Sequence, residues 1–142
     1  MTIALHTEET NSRPNDTFAE QFVIDLPPYF DGTIYFKAVV GCNGSNGFKW
    51  KFDLPEGASG IGTMTALRQN NPNPIQSIGN SVDITVGGGF NLAVPVSRLD
   101  FFGYVKTGET GGFCSFLWAQ NTNNATPTTM AAGATLTIID NA

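Results

Sequence analysis

The 142-residue sequence predicts an all-β fold, a two-sheet antiparallel jelly-roll sandwich of about eight strands. Short runs of alternating apolar and polar residues recur along the chain, as expected of strands with one buried face. Gly, Pro and Asn clusters separate these runs, and no segment shows a sustained apolar period of 3.6 residues. Eight or nine short strands without helices are typical of a sandwich or barrel, and a two-sheet jelly roll accommodates this number.

The clearest strand pair is predicted at residues 32–42 and 47–54, joined by a Gly- and Asn-rich turn at 43–47 that tolerates positive φ. Strands are also predicted at residues 18–26, which end at two prolines, and at 60–67. In the strand at 47–54, aromatic residues alternate with charged ones, so the aromatic face should be buried and the charged face solvated. Across the whole chain, the predicted core residues are Ile34, Phe36, Phe48, Trp50, Phe52, Phe116 and Trp118.

The C-terminal half is predicted to contain strands at residues 81–86, 90–96, 98–108, 112–120 and 134–140, after a long loop at 68–80. The glycines at 87–89 indicate a bulge or sharp corner, because a phosphate-binding loop would lead into a helix. An Asn-, Thr- and Pro-rich link precedes the last strand. Its short hydroxyls and amides can satisfy backbone groups at a turn.

Two regions are predicted, an N-terminal arm at residues 1–17 and a single β-sandwich domain at residues 18–142. A chain of this length forms one domain that can bury a substantial core. Residues 7–17 are polar and lack alternation. The preceding run Thr2–Leu5 is long enough to add one strand to a sheet edge or to a neighbouring subunit. We expect the arm to lie outside the core and to reach a partner.

The composition excludes several classes of partner. The formal net charge is -5 and the pI is near 4.5, whereas nucleic-acid binding requires basic patches. No apolar run approaches the roughly 18 residues of a membrane span, and the N-terminus does not resemble a secretory signal. Charged residues make up 13% of the chain, about half the usual share, so neutral polar side chains must cover much of the surface.

No catalytic, metal-binding or cofactor-binding constellation is visible in the sequence. His6 is the only histidine, and nothing beside it resembles a nucleophile elbow. The acidic residues occur mostly at strand ends or on outward strand positions. Cys42 and Cys114 do not form a metal motif; we expect two buried thiols and leave a disulfide between them open. The sequence therefore predicts a protein that is not an enzyme.

The strands at 98–108 and 112–120 are apolar on both faces, which predicts an interface. A sheet that is apolar on both faces is covered on both faces. Another subunit is the natural cover, and a folded-over loop such as residues 68–80 is the alternative. The candidate subunit-interface residues are Leu99, Phe101, Val105, Phe113, Ser115 and Leu117.

Several motifs resemble small bacteriophage virion proteins with a jelly-roll fold. They are Trp-Ala-Gln-Asn at 118–121, Pro-Thr-Thr at 127–129 and Ala-Gly-Ala-Thr-Leu at 132–136, with Asp-Gly-Thr-Ile-Tyr-Phe at 31–36 and Gly-Phe-Lys-Trp-Lys-Phe at 47–52. Gly-Ala-Thr-Leu replaces the more usual Gly-Ser-x-Leu of those proteins. The resemblance spans most of residues 22–140, and capsid decoration proteins, head fibres and tail-fibre tips share it.

The resemblance implies a structural protein that forms a homotrimer. We expect a capsid decoration, or cement, protein that is made in the host cytoplasm, binds the major capsid protein on the outside of the virion and stabilises the head. Within the arm, the candidate capsid contacts are Thr2, Ile3, Leu5 and His6. The alternative is a tail-fibre or head-fibre protein that recognises host surface glycan.

Overall fold

The computed structural model describes residues 2–41, 47–68, 75–78, 81–90 and 97–141. The regular secondary structure in these ranges is entirely β-strand. In chain order the strands are β1 (Thr2–His6), β2 (Asn11–Arg13), β3 (Ala19–Leu26), β4 (Asp31–Gly41), β5 (Phe48–Asp53), β6 (Ser59–Arg68), β7 (Ile75–Ile78), β8 (Val82–Asp83), β9 (Gly88–Phe90), β10 (Ser97–Lys106), β11 (Gly112–Ala119), β12 (Thr128–Met130) and β13 (Thr135–Asp140).

These strands form two antiparallel sheets. The larger sheet has nine strands with the main order β1-β13-β4-β10-β6-β7, and β2, β8 and β12 attach beside this path. The smaller sheet has the order β3-β11-β5-β9. The prediction of an all-β, two-sheet sandwich is confirmed. The strand number exceeds the predicted eight because several additional strands contain only two to five residues.

The pairing of the strands is nested in the manner of a jelly roll. β3 pairs with β11, β4 with β10, β5 with β9, and β6 with β7 and β8. The first and last strands of this series, β3 and β11, therefore pair with each other. The next strands inward along the chain from each end, β4 and β10, also pair, and so do β5 and β9. Alternate pairs fall in opposite sheets, so the chain behaves as one long folded hairpin wrapped into two layers.

The core lies between the two sheets and is rich in aromatic rings. All seven predicted core residues are buried, which confirms that prediction. The Phe36 and Phe116 rings join the sheets at 4.3 Å between centroids, and the Phe48 and Trp118 rings stack at 5.4 Å. Strict alternation in β4 and β5 produces this core, because apolar side chains point inward while polar and charged ones mostly point outward.

Two predicted turns have the expected chemistry. Gly87 has a φ of 69°, and a Cβ there would lie 1.8 Å from the Trp50 carbonyl oxygen, so the corner before β9 requires glycine. In the link after β11, Gln120 Nε2 donates to the Thr126 carbonyl at 2.8 Å, and its Oε1 accepts from Asn124 N at 2.8 Å. The side-chain amide of Gln120 thus satisfies backbone hydrogen-bonding groups of this link. Residues 43–46 of the predicted turn at 43–47 lie outside the described residues, as do most of the predicted loop at 68–80 and of the predicted strand at 90–96.

The N-terminal residues are part of the larger sheet. β1 pairs with β13 along its whole length, and Ile3 and Leu5 pack partly buried against the core. β2 pairs with β12. Thr7 N donates to the Ala134 carbonyl at 2.9 Å, which continues the pairing beyond β1. The predicted arm therefore begins with strands of the chain's own sandwich, and Thr2–Leu5 takes the first of its two predicted positions, a sheet edge.

Candidate interaction surface

Five neighbouring strands of the larger sheet, β1, β13, β4, β10 and β6, present one continuous outward surface, which we call the outer face. The strand registers align its side chains in five rows across the strands. From one end to the other the rows are Val39/Arg98/Leu67, His6/Thr135/Lys37/Asp100/Thr65, Ala4/Thr137/Tyr35/Phe102/Thr63, Thr2/Ile139/Thr33/Tyr104/Ile61 and Asp31/Lys106/Ser59.

The two rows that contain Phe102 and Tyr104 hold large apolar side chains that no part of the described chain covers. Phe102 and Tyr104 are 44% and 46% exposed, and Ile61 is 55% exposed. With the exposed Tyr35 and Ile139, these five residues form what we call the aromatic patch. A contiguous exposed apolar area marks an interaction site more often than isolated surface residues do.

The rings of the aromatic patch pack edge to face. The Phe102 centroid lies 5.3 Å from both the Tyr35 and the Tyr104 centroids, at interplanar angles of 62° and 83°. Neighbouring rings therefore stand nearly perpendicular to each other and do not form one plane. The aromatic patch is therefore an irregular apolar surface, which suits contact with another protein.

Neutral and charged residues divide the outer face into zones. Half-buried threonines, among them Thr33, Thr63 and Thr137, lie beside the aromatic side chains in their rows. Charged residues lie in the rows on either side: Lys37 is opposite Asp100, and Lys106 Nζ lies 3.5 Å from Asp31 Oδ2. The face thus has an apolar centre between two zones that each contain both charges.

Three of the candidate interface residues lie in the chain's own core. Leu99, Phe101 and Val105 are almost completely buried and point between the sheets. Glycines explain this orientation, because a Cβ on Gly62 or Gly103 would lie 2.2 Å or 2.7 Å from the Phe101 ring. The ring occupies the space that these glycines leave on the inner side. The opposite side of β10, which carries Phe102 and Tyr104, is the exposed one.

The other three candidates lie on the outward side of the smaller sheet. Ser115 and Leu117 are buried, and Phe113 is 66% exposed. Lys51 is the strand partner of Leu117, and Lys51 Nζ lies 5.0 Å from the Phe18 ring centroid. The Phe18 ring thus lies close to the lysine that pairs with Leu117. The loop at 68–80, which was the predicted alternative cover, lies mostly outside the described residues.

The four candidate capsid contacts occupy β1, an edge of the larger sheet. Ile3 and Leu5 turn toward the core, while Thr2 and His6 are exposed. His6 Nε2 lies 3.6 Å from Glu8 Oε1, and both side chains are solvated. Thr2 and His6 lie at the edge of the outer face that β1 forms.

An open groove of about 510 Å³ lies at one end of the sandwich. Its lining residues are Ile3, Asp25, Leu26, Pro27, Pro28, Gly111 and Gly112. Two exposed aromatic side chains adjoin these residues in the sequence, Tyr29 at 74% and Phe113 at 66% exposure. Tyr29 has a φ of 56°, a backbone conformation that non-glycine residues adopt rarely.

The described residues offer little reactive chemistry. They contain no group of three or more His, Cys, Asp or Glu that could hold a metal ion. Cys114 is a free thiol in the core, and burial raises its pKa to about 12, so it does not form a thiolate readily. Cys42 lies outside the described residues. No helix in the described parts of the chain could cross a membrane.

Comparisons with known proteins give only distant similarity. No family model matches the sequence, and no curated protein matches it. Among solved structures, the VP2 subviral particle of infectious bursal disease virus matches at 13% identity and a TM-score of 0.24, over 99% of this chain and 41% of that chain. The Gx and Gt strain structures of the same virus match at TM-scores of 0.24 and 0.21, with 13% and 11% identity.

The Gx and Gt alignments cover 97% of this chain, and 38% and 40% of those chains. This chain therefore spans about two fifths of the length of the structures it matches. Those structures belong to a virus particle, but similarity at this level carries no argument about the function of this chain.

Proposed function

We propose that the protein is a structural protein of a bacteriophage virion, a homotrimeric capsid decoration protein that binds the outer capsid surface and stabilises the head. The observation that carries the proposal is the aromatic patch, an uncovered apolar area at the centre of the widest sheet face. Association with another protein surface removes such area from water. The phage-like motifs at 118–121 and 132–136 support the same class of protein.

The proposed role requires no catalysis, metal or cofactor. The partners are other copies of the chain and the major capsid protein, with no part for nucleic acid or a membrane. The chain carries a net charge of -5 and few charged residues overall, which suits contacts made by neutral polar and apolar side chains. Many modest contacts distributed over a trimer would brace neighbouring capsid subunits through multivalency.

The edge strand β1 is the proposed capsid contact. Among the described strands, β1 pairs only with β13, so its other side presents backbone groups to a partner. Such an edge can accept a further strand through main-chain hydrogen bonds. Thr2 and His6 project from the outer face at this edge, while Ile3 and Leu5 hold the strand in place from the core side.

Two measurements test this function. Light scattering of the purified protein should give three times the 15.2 kDa mass of the chain. Heads of the phage that encodes the protein, prepared without it, should bind the added protein and resist heating to a higher temperature. A monomer at micromolar concentration would refute the trimer, and heads that neither bind it nor gain heat resistance would refute the decoration role.

A fibre protein that recognises host surface glycan is the second candidate, and the groove at the sandwich end favours it. Asp25 lines this groove, exposed Tyr29 and Phe113 are sequence neighbours of its lining residues, and aromatic and acidic groups together suit sugar binding. A glycan array separates the candidates: retention of a defined host glycan that Tyr29→Ala abolishes supports the fibre role. Absence of any retained glycan together with head binding supports the decoration role.

A further inference from the structure

We propose that the outer face of the larger sheet, from β13 to β6 and without the edge strand β1, is the surface through which copies of the chain associate, around an axis parallel to its strands. This inference rests on the proposed homotrimer and specifies its interface. The occupant of the aromatic patch is then the same face of neighbouring copies. The charge pattern of the face and its exposed aromatic patch support this assignment.

The charges of the outer face are complementary to a rotated copy of themselves. On the β4 side, Lys37 is positive in the second row and Asp31 is negative in the fifth. On the β10 side the signs are reversed, with Asp100 in the second row and Lys106 in the fifth. Rotation about an axis parallel to the strands keeps each row at its own level and brings the β4 side of one copy to the β10 side of the next.

This arrangement joins opposite charges at both ends of the interface. Lys37 meets Asp100 of the next copy, and Asp31 meets Lys106 of the next copy. Between them, Tyr35 faces Phe102 of the next copy within the apolar rows. An axis in the plane of the face and perpendicular to the strands would instead bring Arg98 to Lys106, two positive charges. Like charges in an interface oppose association, so the parallel axis is favoured.

Lys37 is the charged residue of the outer face that has no ion pair within the described part of the chain. By contrast, Asp100 accepts from Arg98 Nε at 3.0 Å and Asp31 lies near Lys106. Lys37 is exposed on β4 beside the aromatic patch. A carboxylate from the next copy would pair with it where the interface excludes water, and such a pair fixes the register of association.

The size of the face limits how much of each interface it supplies. Without β1, two of the five rows contain three residues and the other three contain four, and at about 4.8 Å by 6.8 Å per residue this surface covers roughly 600 Å². A specific interface buries about 800 Å² on each partner. In a trimer each neighbour contacts one half of this face, roughly 300 Å², so adjoining side chains outside the face supply the rest of each interface.

Charge reversal on the two sheets tests the proposal. Lys37→Glu should raise the protein concentration at which half of the trimer dissociates by at least about tenfold, because the introduced carboxylate would face Asp100 of the next copy. Lys51→Glu is the matched control: it reverses the charge of a β5 lysine on the other sheet that also has an aspartate neighbour, Asp53, at 3.4 Å. The control should leave the concentration of half dissociation within about threefold of the wild-type value.

A double variant makes the test specific to the pair. Lys37→Glu with Asp100→Lys restores opposite charges between copies. It should reverse at least half of the change that Lys37→Glu causes in the logarithm of the concentration at which half of the trimer dissociates. Thermal unfolding of each variant verifies that the sandwich is intact. If Lys37→Glu leaves a wild-type trimer unaffected, or if Lys51→Glu weakens it equally, this interface is wrong while the proposed homotrimer stands. A wild-type protein that is monomeric refutes both.

Discussion

The guanidinium carbon of Arg13 lies 4.4 Å from the centroid of the Trp118 ring, and Arg13 Nε donates to the Trp118 carbonyl oxygen at 3.2 Å. The same side chain donates through Nη2 to the carbonyl oxygens of Ala19 and Glu20. Burial lowers the pKa of the guanidinium, although it remains charged at neutral pH. Arg13 thus fastens the N-terminal segment to the adjacent β3 and β11 strands.

We expect Arg13→Ala to lower the free energy of unfolding by about 1–3 kcal/mol, because three backbone carbonyls lose a charged donor. Arg13→Lys should recover only part of this, since an ammonium group cannot reproduce the planar fork. Arg98→Ala is the control, because its exposed ion pair with Asp100 contributes about 1 kcal/mol or less. Urea unfolding measures all three, and equal losses for Arg13→Ala and Arg98→Ala would contradict this role.

Removal of residues 1–17 should destabilise the sandwich as well as weaken its binding to a partner. The arm was predicted to lie outside the core, so its removal would have left stability nearly unchanged. Ile3 and Leu5, however, pack partly buried on the core, and their loss alone should cost roughly 2–3 kcal/mol. The pairing of β1 with β13 would be lost too. Thermal unfolding of the truncated and full chains measures this, and equal stability would support a detached arm.

Cys114 should be unreactive in the folded protein. Because burial raises its pKa to about 12, only roughly one thiol in ten thousand would be ionised at pH 8, even if a reagent could reach it. In a Cys42→Ser variant, an aromatic disulfide reagent should label Cys114 only after unfolding in urea. Rapid labelling of the folded variant would show that β11 opens readily or that the thiol is not enclosed.

The sequence predicts orientation well where a strand has one charged face. In β5, lysines and Asp53 alternate with Phe48, Trp50 and Phe52, so the burial of the aromatic side was predictable. In β10 both faces are apolar, and alternation separates Phe101 from Phe102 without telling which one points inward. That orientation depends on the neighbouring strands, where Gly62 makes room for Phe101 and Thr63 lies opposite Phe102.

The sequence indicated that β10 takes part in an interaction surface, but not which of its two faces forms that surface. Two-sided apolar character correctly predicted that β10 carries an exposed apolar face, yet the residues named on that strand were those of the core face. The outer face is assembled from five strands that lie far apart in the chain, and its rows depend on registers that no local pattern specifies. The short strands β1, β2 and β12 depend on tertiary pairing in the same way.

A comparison of two phenylalanines tests the central claim that copies associate through the outer face. Phe102 is 44% exposed on the larger sheet and Phe113 is 66% exposed on the smaller one, so both can be changed to aspartate without entering the core. Light scattering across a concentration series should show a trimer for the wild type and for Phe113→Asp. Phe102→Asp should be monomeric, because assembly would bury an unpaired carboxylate at a cost of several kcal/mol. A trimeric Phe102→Asp variant, or loss of the trimer in Phe113→Asp alone, would contradict the account.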